Sequence, residues 1–191
     1  TTLAQRAVPA ASETQSSRAL SAASYLDRGN GWLKKGEFER AIADYSLAIV
    51  FDAGNAGAYY NRGMAQAGKS DLDGALRDFD KAIEINPRFV EALISRGLAR
   101  CNKGEIAAGT ADFSGAIELK PRDAGVWNNR GAARQQSGDV DGALGDYTEA
   151  IRTNPGLADA WSNRCSVRYT KGELDAALED CELALKLNAR H

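Results

Sequence analysis

The chain has 191 residues, of which 43% are hydrophobic and 26% are charged, and its formal net charge is -2 at pH 7. This composition is typical of globular proteins, and so small a net charge gives no sign of a nucleic-acid partner. No apolar run approaches the ~18 residues that a membrane span needs, so the sequence predicts no direct insertion into a membrane.

The first 21 residues differ from the rest of the chain in composition. They are rich in Ala, Ser, Thr and Gln, contain Pro9, and lack the hydrophobic stretch of a signal peptide. Segments of this kind bury too little apolar surface to fold alone. We expect a flexible N-terminal tail or linker over residues 1–21, although Ser12 to Gln15 could also cap a helix that runs into Ala22.

Five blocks of 34 residues follow one another from Ala22 to His191 without an insertion or a deletion. A fixed period of this length indicates stacked supersecondary units, each of which buries its apolar face on its neighbours. The predicted repeat domain therefore spans residues 22–191, and its blocks are 22–55, 56–89, 90–123, 124–157 and 158–191.

Small and bulky residues recur at fixed places within the blocks. The eighth place holds glycine in four blocks and Cys165 in the fifth, whereas the twenty-fourth place holds an aromatic residue in four blocks and Cys181 in the fifth. Large side chains that face small ones let helices pack closely. A glycine or serine near mid-block, and a proline at the end of three blocks (Pro87, Pro121 and Pro155), predict that each block forms a helix, a turn, a second helix and a stop.

These recurring positions resemble the consensus of the tetratricopeptide repeat, which has an aromatic residue, a leucine-glycine pair, a small residue, an aromatic residue, an alanine and a proline at this spacing. The resemblance covers 170 of the 191 residues. It implies an all-α fold, namely a right-handed α-solenoid of five helix-turn-helix repeats. The recurring Asn-Arg-Gly and Asp-aromatic pairs resemble bacterial arrays, so we expect a bacterial source. The compartment stays open, with the cytoplasm favoured over the periplasm.

The chain has three cysteines, an odd number that argues against a full disulfide framework. Cys165 and Cys181 occupy the small and the aromatic rows of one helix pair, so they could lie close enough to touch. We expect buried free thiols at these two places and at Cys101. Oxidation of the pair is expected only if the protein is exported to an oxidising compartment.

Arginine occupies the seventh place and aspartate the twenty-third place of every block. In the tetratricopeptide pattern the seventh place is usually leucine and points between helices. We interpret the two rows as a structural ion-pair ladder, because a buried arginine is costly without a partner and Arg–carboxylate geometry suits packed interfaces. The alternative is a row of arginines that grips an acidic ligand. The rows are Arg28, Arg62, Arg96, Arg130 and Arg164, and Asp44, Asp78, Asp112, Asp146 and Asp180.

The resemblance also implies a concave groove, lined chiefly by the second, fifth, sixth, ninth, twelfth and thirteenth residues of each first helix. The first three blocks supply mainly apolar side chains at these places, and the last two supply amides and hydroxyls. Such a groove would suit an extended or helical peptide with an apolar end and a polar stretch. The candidate groove residues are Leu26, Asn30, Tyr60, Asn61, Met64, Ile94, Ser95, Leu98, Asn128, Asn129, Gln135, Ser162, Asn163 and Tyr169, and Leu33, Gln136 and Ser166 share these places.

The sixth place holds asparagine in three blocks, at Asn61, Asn129 and Asn163. This row resembles the asparagine ladder with which the O-linked N-acetylglucosamine transferase array binds peptide backbone, since carboxamides both donate and accept hydrogen bonds. The alternative, that these residues only pack or cap locally, stays open. A carboxylate clamp for acidic peptide tails is not expected, because Glu91 and Ser95 stand where that resemblance requires cationic residues.

The sequence offers no assembled catalytic or metal site. Its only histidine is the last residue, and no Cys, Asp or Glu cluster has the spacing of metal ligands. We therefore expect no enzyme, no cofactor and no metal. The favoured function is a protein-interaction scaffold that holds a peptide segment of a partner protein in the groove. Two alternatives stay open: a targeting or substrate-recruiting arm of a larger enzyme or secretion-associated assembly, and a self-assembly module that forms a homodimer through the uncapped C-terminal helix.

Overall fold

A computed structural model describes the backbone of residues 10–189 and the side chains of residues 22–189. In that part of the chain all regular structure is helical, so the predicted all-α class is confirmed, and none of the helices is both long and apolar enough to cross a membrane. The helices of the described residues are α1 (Ala10–Lys34), α2 (Phe38–Phe51), α3 (Ala56–Gly68), α4 (Leu72–Ile85), α5 (Val90–Asn102), α6 (Ile106–Leu119), α7 (Ala124–Gln136), α8 (Val140–Thr153), α9 (Ala158–Lys171) and α10 (Leu174–Asn188).

The chain forms two compact units, which divide between Pro87 and Arg88. In unit 1, α1 packs against α2, α2 against α3 and α3 against α4, and α1 also contacts α3. In unit 2, consecutive helices from α5 to α10 pack against each other, and α5 contacts α7 as α7 contacts α9. Within each unit, packing of neighbouring repeats on each other is what the fixed repeat period predicts.

Helix α1 begins twelve residues before the first predicted block. Residues 10–21, which we expect to belong to a tail or linker, continue α1 as helix, whereas residues 1–9 lie outside the described part of the chain. The boundary between tail and repeat domain at residue 22, and the boundaries of the five blocks, stay predictions.

Side-chain caps and left-handed turn residues set the helix boundaries. Asn55, Asp71, Asp123 and Asp139 each accept a hydrogen bond from a backbone N–H in the first turn of the following helix, which satisfies a donor that has no partner within the helix. The turn inside each repeat contains one residue with positive φ, which is glycine in four repeats and Ser70, at φ 66°, in the second. Glycine avoids the steric cost of this conformation, which explains the glycines near mid-block.

Each of the first four repeats places a buried aromatic ring directly over a glycine. A methyl group added to Gly63 or Gly131 would lie 2.7 Å from the ring that covers it, which is closer than packed atoms approach. The eighth place must therefore stay small wherever the twenty-fourth place is aromatic. The four rings are Tyr45, Phe79, Phe113 and Tyr147.

The fifth repeat replaces both members of this contact with cysteine. Cys165 stands in place of the glycine and Cys181 in place of the ring, and a disulfide bond joins them across α9 and α10, with 5.5 Å between their Cα atoms. The expectation of free thiols is therefore wrong for this pair, because the ring-over-glycine arrangement brings the two places within bonding distance. The third cysteine, Cys101, is free.

Candidate functional site

The seventh and twenty-third places meet as ion pairs in all five repeats. Nε and Nη2 of each arginine donate to the carboxylate of the aspartate 16 residues further on, at 2.6–3.2 Å. All five aspartates are buried, whereas the exposed fraction of the arginine side chain falls from 57% at Arg28 to 10% at Arg164. The pairs are Arg28–Asp44, Arg62–Asp78, Arg96–Asp112, Arg130–Asp146 and Arg164–Asp180.

A second arginine joins the ion pair in each of the last three repeats. Arg100, Arg134 and Arg168 donate from Nη1 to the same aspartates at 2.8, 2.9 and 2.9 Å. The sequence analysis missed these three residues, although arginine recurs at the eleventh place of three consecutive blocks. Each ladder aspartate of unit 2 thus accepts hydrogen bonds from two guanidinium groups, so its loss would leave both without this partner.

Hydroxyl groups extend the ladder from one repeat to the next. Within unit 1, Arg62 donates from Nη1 to the Ser46 hydroxyl of the preceding repeat at 3.0 Å. Within unit 2, the corresponding bonds join Arg130 to Ser114 at 3.1 Å and Arg164 to Thr148 at 3.3 Å. The arginine donors are therefore directed into the packing between helices.

In the first two ion pairs, shifts in pKa favour the charged forms of Asp44 and Arg62. Hydrogen bonding from Arg28 lowers the pKa of Asp44 despite the opposing effect of burial. The hydrogen bond to Asp78 raises the pKa of Arg62. Because charged partners satisfy each other within the packing, these arginines supply few free donors for an acidic ligand.

We define the first-helix face as the candidate groove places on α1, α3, α5, α7 and α9. In unit 1 this face is less exposed than the sequence indicates. Leu26 and Leu33 are half-buried and pack against the core around Tyr45, and the ring centroid of Tyr60 lies 6.0 Å from that of Phe79. The apolar candidate that is clearly exposed here is Met64, so much of the predicted apolar surface belongs to the core.

Asparagine side chains of neighbouring first helices bond to each other. In unit 1, Asn61 Nδ2 donates to Asn30 Oδ1 at 3.1 Å, and the same oxygen accepts the Tyr45 hydroxyl at 2.9 Å. In unit 2, Asn163 Nδ2 donates to Asn128 Oδ1 at 3.0 Å. The structure thus brings two of the three ladder asparagines into local hydrogen bonds, and their role in peptide binding stays a prediction.

The first-helix face of unit 2 combines exposed apolar and polar side chains. Leu98 is 44% exposed and Tyr169 is 70% exposed, while Ile94 and Ser95 are half-buried and Ser162 is exposed. The Tyr147 hydroxyl, whose pKa burial raises to about 12, donates to Gln135 Oε1 at 2.8 Å. The groove places of unit 2 therefore offer both apolar contacts and neutral hydrogen-bonding groups to a ligand.

A cavity of about 190 Å³ opens on this face between α5 and α7. Its apolar lining comes from Leu98, Cys101, Phe113 and Ala132, and its polar lining comes from the carboxamides of Asn102, Asn129 and Gln136. Leu98, Asn102, Asn129 and Gln136 occupy predicted groove places. The sequence analysis did not name Asn102, although it holds the thirteenth place, as Gln136 does, and it assigned Phe113 only to the recurring aromatic row.

A larger cavity, of about 600 Å³, lies at the loops that precede α7 and α9. Asp123, one of its lining residues, accepts hydrogen bonds from the backbone N–H groups of Gly125 and Val126 as the cap of α7. Lys120, another lining residue, is paired with Glu91 at 2.6 Å. Two of the three charged residues that line this cavity, Lys120 and Asp123, are thus held in structural contacts.

No group of three or more His, Cys, Asp or Glu side chains with the geometry of a metal site occurs among the described residues. The buried carboxylates of this part of the chain are those of the ion-pair ladder, which are held by arginine. The first-helix face of unit 2 is therefore suited to bind a ligand through its shape and through hydrogen bonds between uncharged groups.

Sequence comparison finds the tetratricopeptide repeat in three stretches of the chain. Profiles described as TPR or tetratricopeptide repeats match residues 29–70, 56–89 and 128–190. No curated protein has a significantly similar sequence.

Solved structures of tetratricopeptide repeat proteins resemble this fold over most of their length. MamA from Desulfovibrio magneticus RS-1 has a TM-score of 0.83 at 17% identity, over 90% of this chain and 97% of its own. PilF of Pseudomonas aeruginosa has a TM-score of 0.81 at 19% identity, over 89% and 78%. YrrB, described as a TPR protein with an unusual peptide-binding site, has a TM-score of 0.73 at 25% identity, over 87% and 86%. These similarities confirm the predicted α-solenoid class of helix-turn-helix repeats.

Proposed function

Since the chain belongs to the tetratricopeptide repeat family, we propose that it is a non-catalytic scaffold that binds a peptide segment of a partner protein on its first-helix faces. Proteins of this fold are interaction scaffolds, and YrrB, at 25% identity, is described as having a peptide-binding site. Repeat proteins share one scaffold and differ in the residues of their surfaces, so the partner has to be sought in the surface chemistry of this chain.

The proposal rests on one observation: the side chains of the ion-pair ladder are paired, whereas side chains on the first-helix face of unit 2 are exposed. The charged groups of the ladder are paired inside the packing, whereas Leu98 and Tyr169 are exposed on that face. Asn129 and Gln136, on the same face, have no hydrogen-bond partner among the described residues. Exposed apolar side chains beside neutral donors and acceptors suit a peptide, because carboxamides can bond to main chain of any sequence.

A specific observation favours self-assembly as a second candidate function. Leu174, Leu178 and Leu185 of α10 are each at least 60% exposed, whereas Ile117 and Ile151, which occupy the place of Leu185 in the two preceding repeats, are buried. An exposed apolar helix face can pair with its own copy through a two-fold contact. Light scattering distinguishes the candidates, since the peptide scaffold requires no dimer.

Replacing Asn61, Asn129 and Asn163 together with alanine should weaken peptide binding by about tenfold or more, because each lost hydrogen bond costs on the order of 1 kcal/mol. The probe is a peptide selected from a random display library on the 191-residue chain. Affinity is measured by fluorescence anisotropy, and thermal melts verify that the variant folds.

The matched control replaces three exposed residues of second helices with alanine. They are Glu84, Glu118 and Arg152, which share the twenty-ninth place of their blocks. This variant should bind the peptide with unchanged affinity. If the asparagine variant also binds unchanged, the asparagine row only packs locally. Failure to select any peptide on the chain contradicts the scaffold proposal itself.

A further inference from the structure

In two repeats, polar side chains occupy the space beside the ring that covers the glycine. In the first repeat, the Tyr45 hydroxyl and Asn61 both donate to Asn30 Oδ1, at 2.9 and 3.1 Å. In the fourth repeat, the Tyr147 hydroxyl donates to Gln135 Oε1 at 2.8 Å. In both cases the ring that covers the glycine carries a hydroxyl, and a carboxamide from the adjoining first helix reaches it.

The corresponding space in the third repeat is open. Its ring is Phe113, which has no hydroxyl, and Cys101 stands at the twelfth place, where the fourth repeat has Gln135. Ala132, on the facing helix α7, is also small. The combination leaves the cavity of about 190 Å³ between α5 and α7.

The size of this cavity limits what can occupy it. One water molecule takes up ~30 Å³ in the liquid, so the cavity is several waters large. Binding sites for cofactors and drug-sized ligands start at roughly 300 Å³, which this cavity of about 190 Å³ does not reach. The volume therefore suits a single amino-acid side chain. The lining by Leu98, Cys101, Phe113 and Ala132 requires that side chain to be apolar.

Three carboxamides surround the apolar part of the cavity. Asn102, Asn129 and Gln136 line it, and none of the three has a hydrogen-bond partner among the described residues. Each offers two N–H donors and one carbonyl acceptor without a charge. The complementary groups are the N–H and C=O of a peptide main chain, which flank every side chain of an extended segment.

We propose that the cavity between α5 and α7 receives one aliphatic side chain, of leucine or methionine size, from an extended peptide, whose main chain bonds to Asn102, Asn129 and Gln136. This inference rests on the proposed function, because it assigns a specificity pocket to the peptide scaffold. The cavity selects peptides that have an aliphatic residue at one position. The carboxamides determine in which direction the bound peptide runs and which of its residues lies at the cavity.

Cys101 provides a reporter inside the pocket. It is the one free thiol among the three cysteines of the oxidised chain, since the other two are bonded to each other. A side chain that fills the cavity should shield it from a small thiol reagent. Peptides selected from a random display library on the oxidised 191-residue chain should share one aliphatic residue and should slow the reaction of Cys101 with Ellman's reagent by about tenfold, the protection expected at a peptide concentration of about ten times Kd.

The matched variants are Ala132→Leu and Ala111→Leu, which make the same change at exposed residues of the first helix α7 and the second helix α6. Only Ala132 lines the cavity, so Ala132→Leu should fill it and weaken binding of the selected peptides by about 30-fold, as for a central anchor. Ala111→Leu should change the affinity by less than about threefold. Thermal melts verify that both variants fold.

The possible results distinguish a failure of the pocket proposal from a failure of the scaffold proposal. The peptides could bind the unchanged chain and the Ala132→Leu variant equally and leave Cys101 fully reactive. That result would support the scaffold proposal and contradict the pocket proposal. The pocket is also wrong if the selected peptides share no aliphatic residue. If no peptide is selected, both the scaffold and the pocket are overturned.

Discussion

Replacing Asp146 with alanine should lower the free energy of unfolding by about 3–5 kcal/mol, the usual cost of removing one partner from a buried ion pair. Asp146 is 3% exposed and accepts hydrogen bonds from both Arg130 and Arg134. Its loss leaves two guanidinium groups inside the packing without their carboxylate. The measurement is chemical denaturation monitored by circular dichroism.

Two other substitutions show whether burial of the arginines causes the loss. Asp44→Ala should cost clearly less than Asp146→Ala, because the one arginine that pairs with it, Arg28, is 57% exposed and can be hydrated after the change. Arg152→Ala breaks a surface pair with Glu149 and should leave the free energy of unfolding nearly unchanged, because solvent screens such a pair. Equal losses for Asp146 and Arg152 would show that the ladder contributes nothing beyond surface charge.

Removing the disulfide between Cys165 and Cys181 should lower the stability of the fifth repeat by about 3 kcal/mol, as expected for a bond that closes a short loop. The two cysteines are 16 residues apart. In the other repeats an aromatic ring packs in the same place, so after reduction the fifth repeat lacks that aromatic contact between its two helices. Hydrogen exchange should show α9 and α10 opening before the rest of unit 2 in the Cys165→Ser, Cys181→Ser double variant.

The control for this experiment is Cys101→Ser, which removes the free thiol and leaves the bond intact. It should change the stability of α9 and α10 little. Exchange of α9 and α10 that is unaltered in the double variant would show that the remaining contacts hold the fifth repeat, and that the disulfide bond has no stabilising role.

The repeat period made most of the fold predictable from the sequence. Helices, turns and stops follow from residues that recur at fixed places, such as the glycine that must lie under an aromatic ring. The second arginines Arg100, Arg134 and Arg168 were equally periodic and could have been found from the same register. The disulfide was harder to predict, because residue spacing shows that Cys165 and Cys181 face each other and leaves their oxidation state open.

The candidate site was less predictable because it depends on departures from the repeat. Leu26 and Leu33 were expected on an exposed surface, yet they reach back to the core around Tyr45, which a helical wheel does not reveal. The cavity arises from the absence of a hydroxyl on Phe113 together with small side chains at Cys101 and Ala132. These residues are on three helices, so their joint effect appears only in three dimensions.

The central claim, that a partner peptide lies on the first-helix faces, is tested most directly by hydroxyl-radical footprinting with a selected peptide. The bound peptide should reduce oxidation of Leu98 and Tyr169, which are exposed on the first-helix face of unit 2. Val50 and Leu174, which are exposed on second helices, should react as in the free chain. Protection of Val50 or Leu174, with Leu98 and Tyr169 unchanged, would contradict the proposal and move the binding site to the second helices.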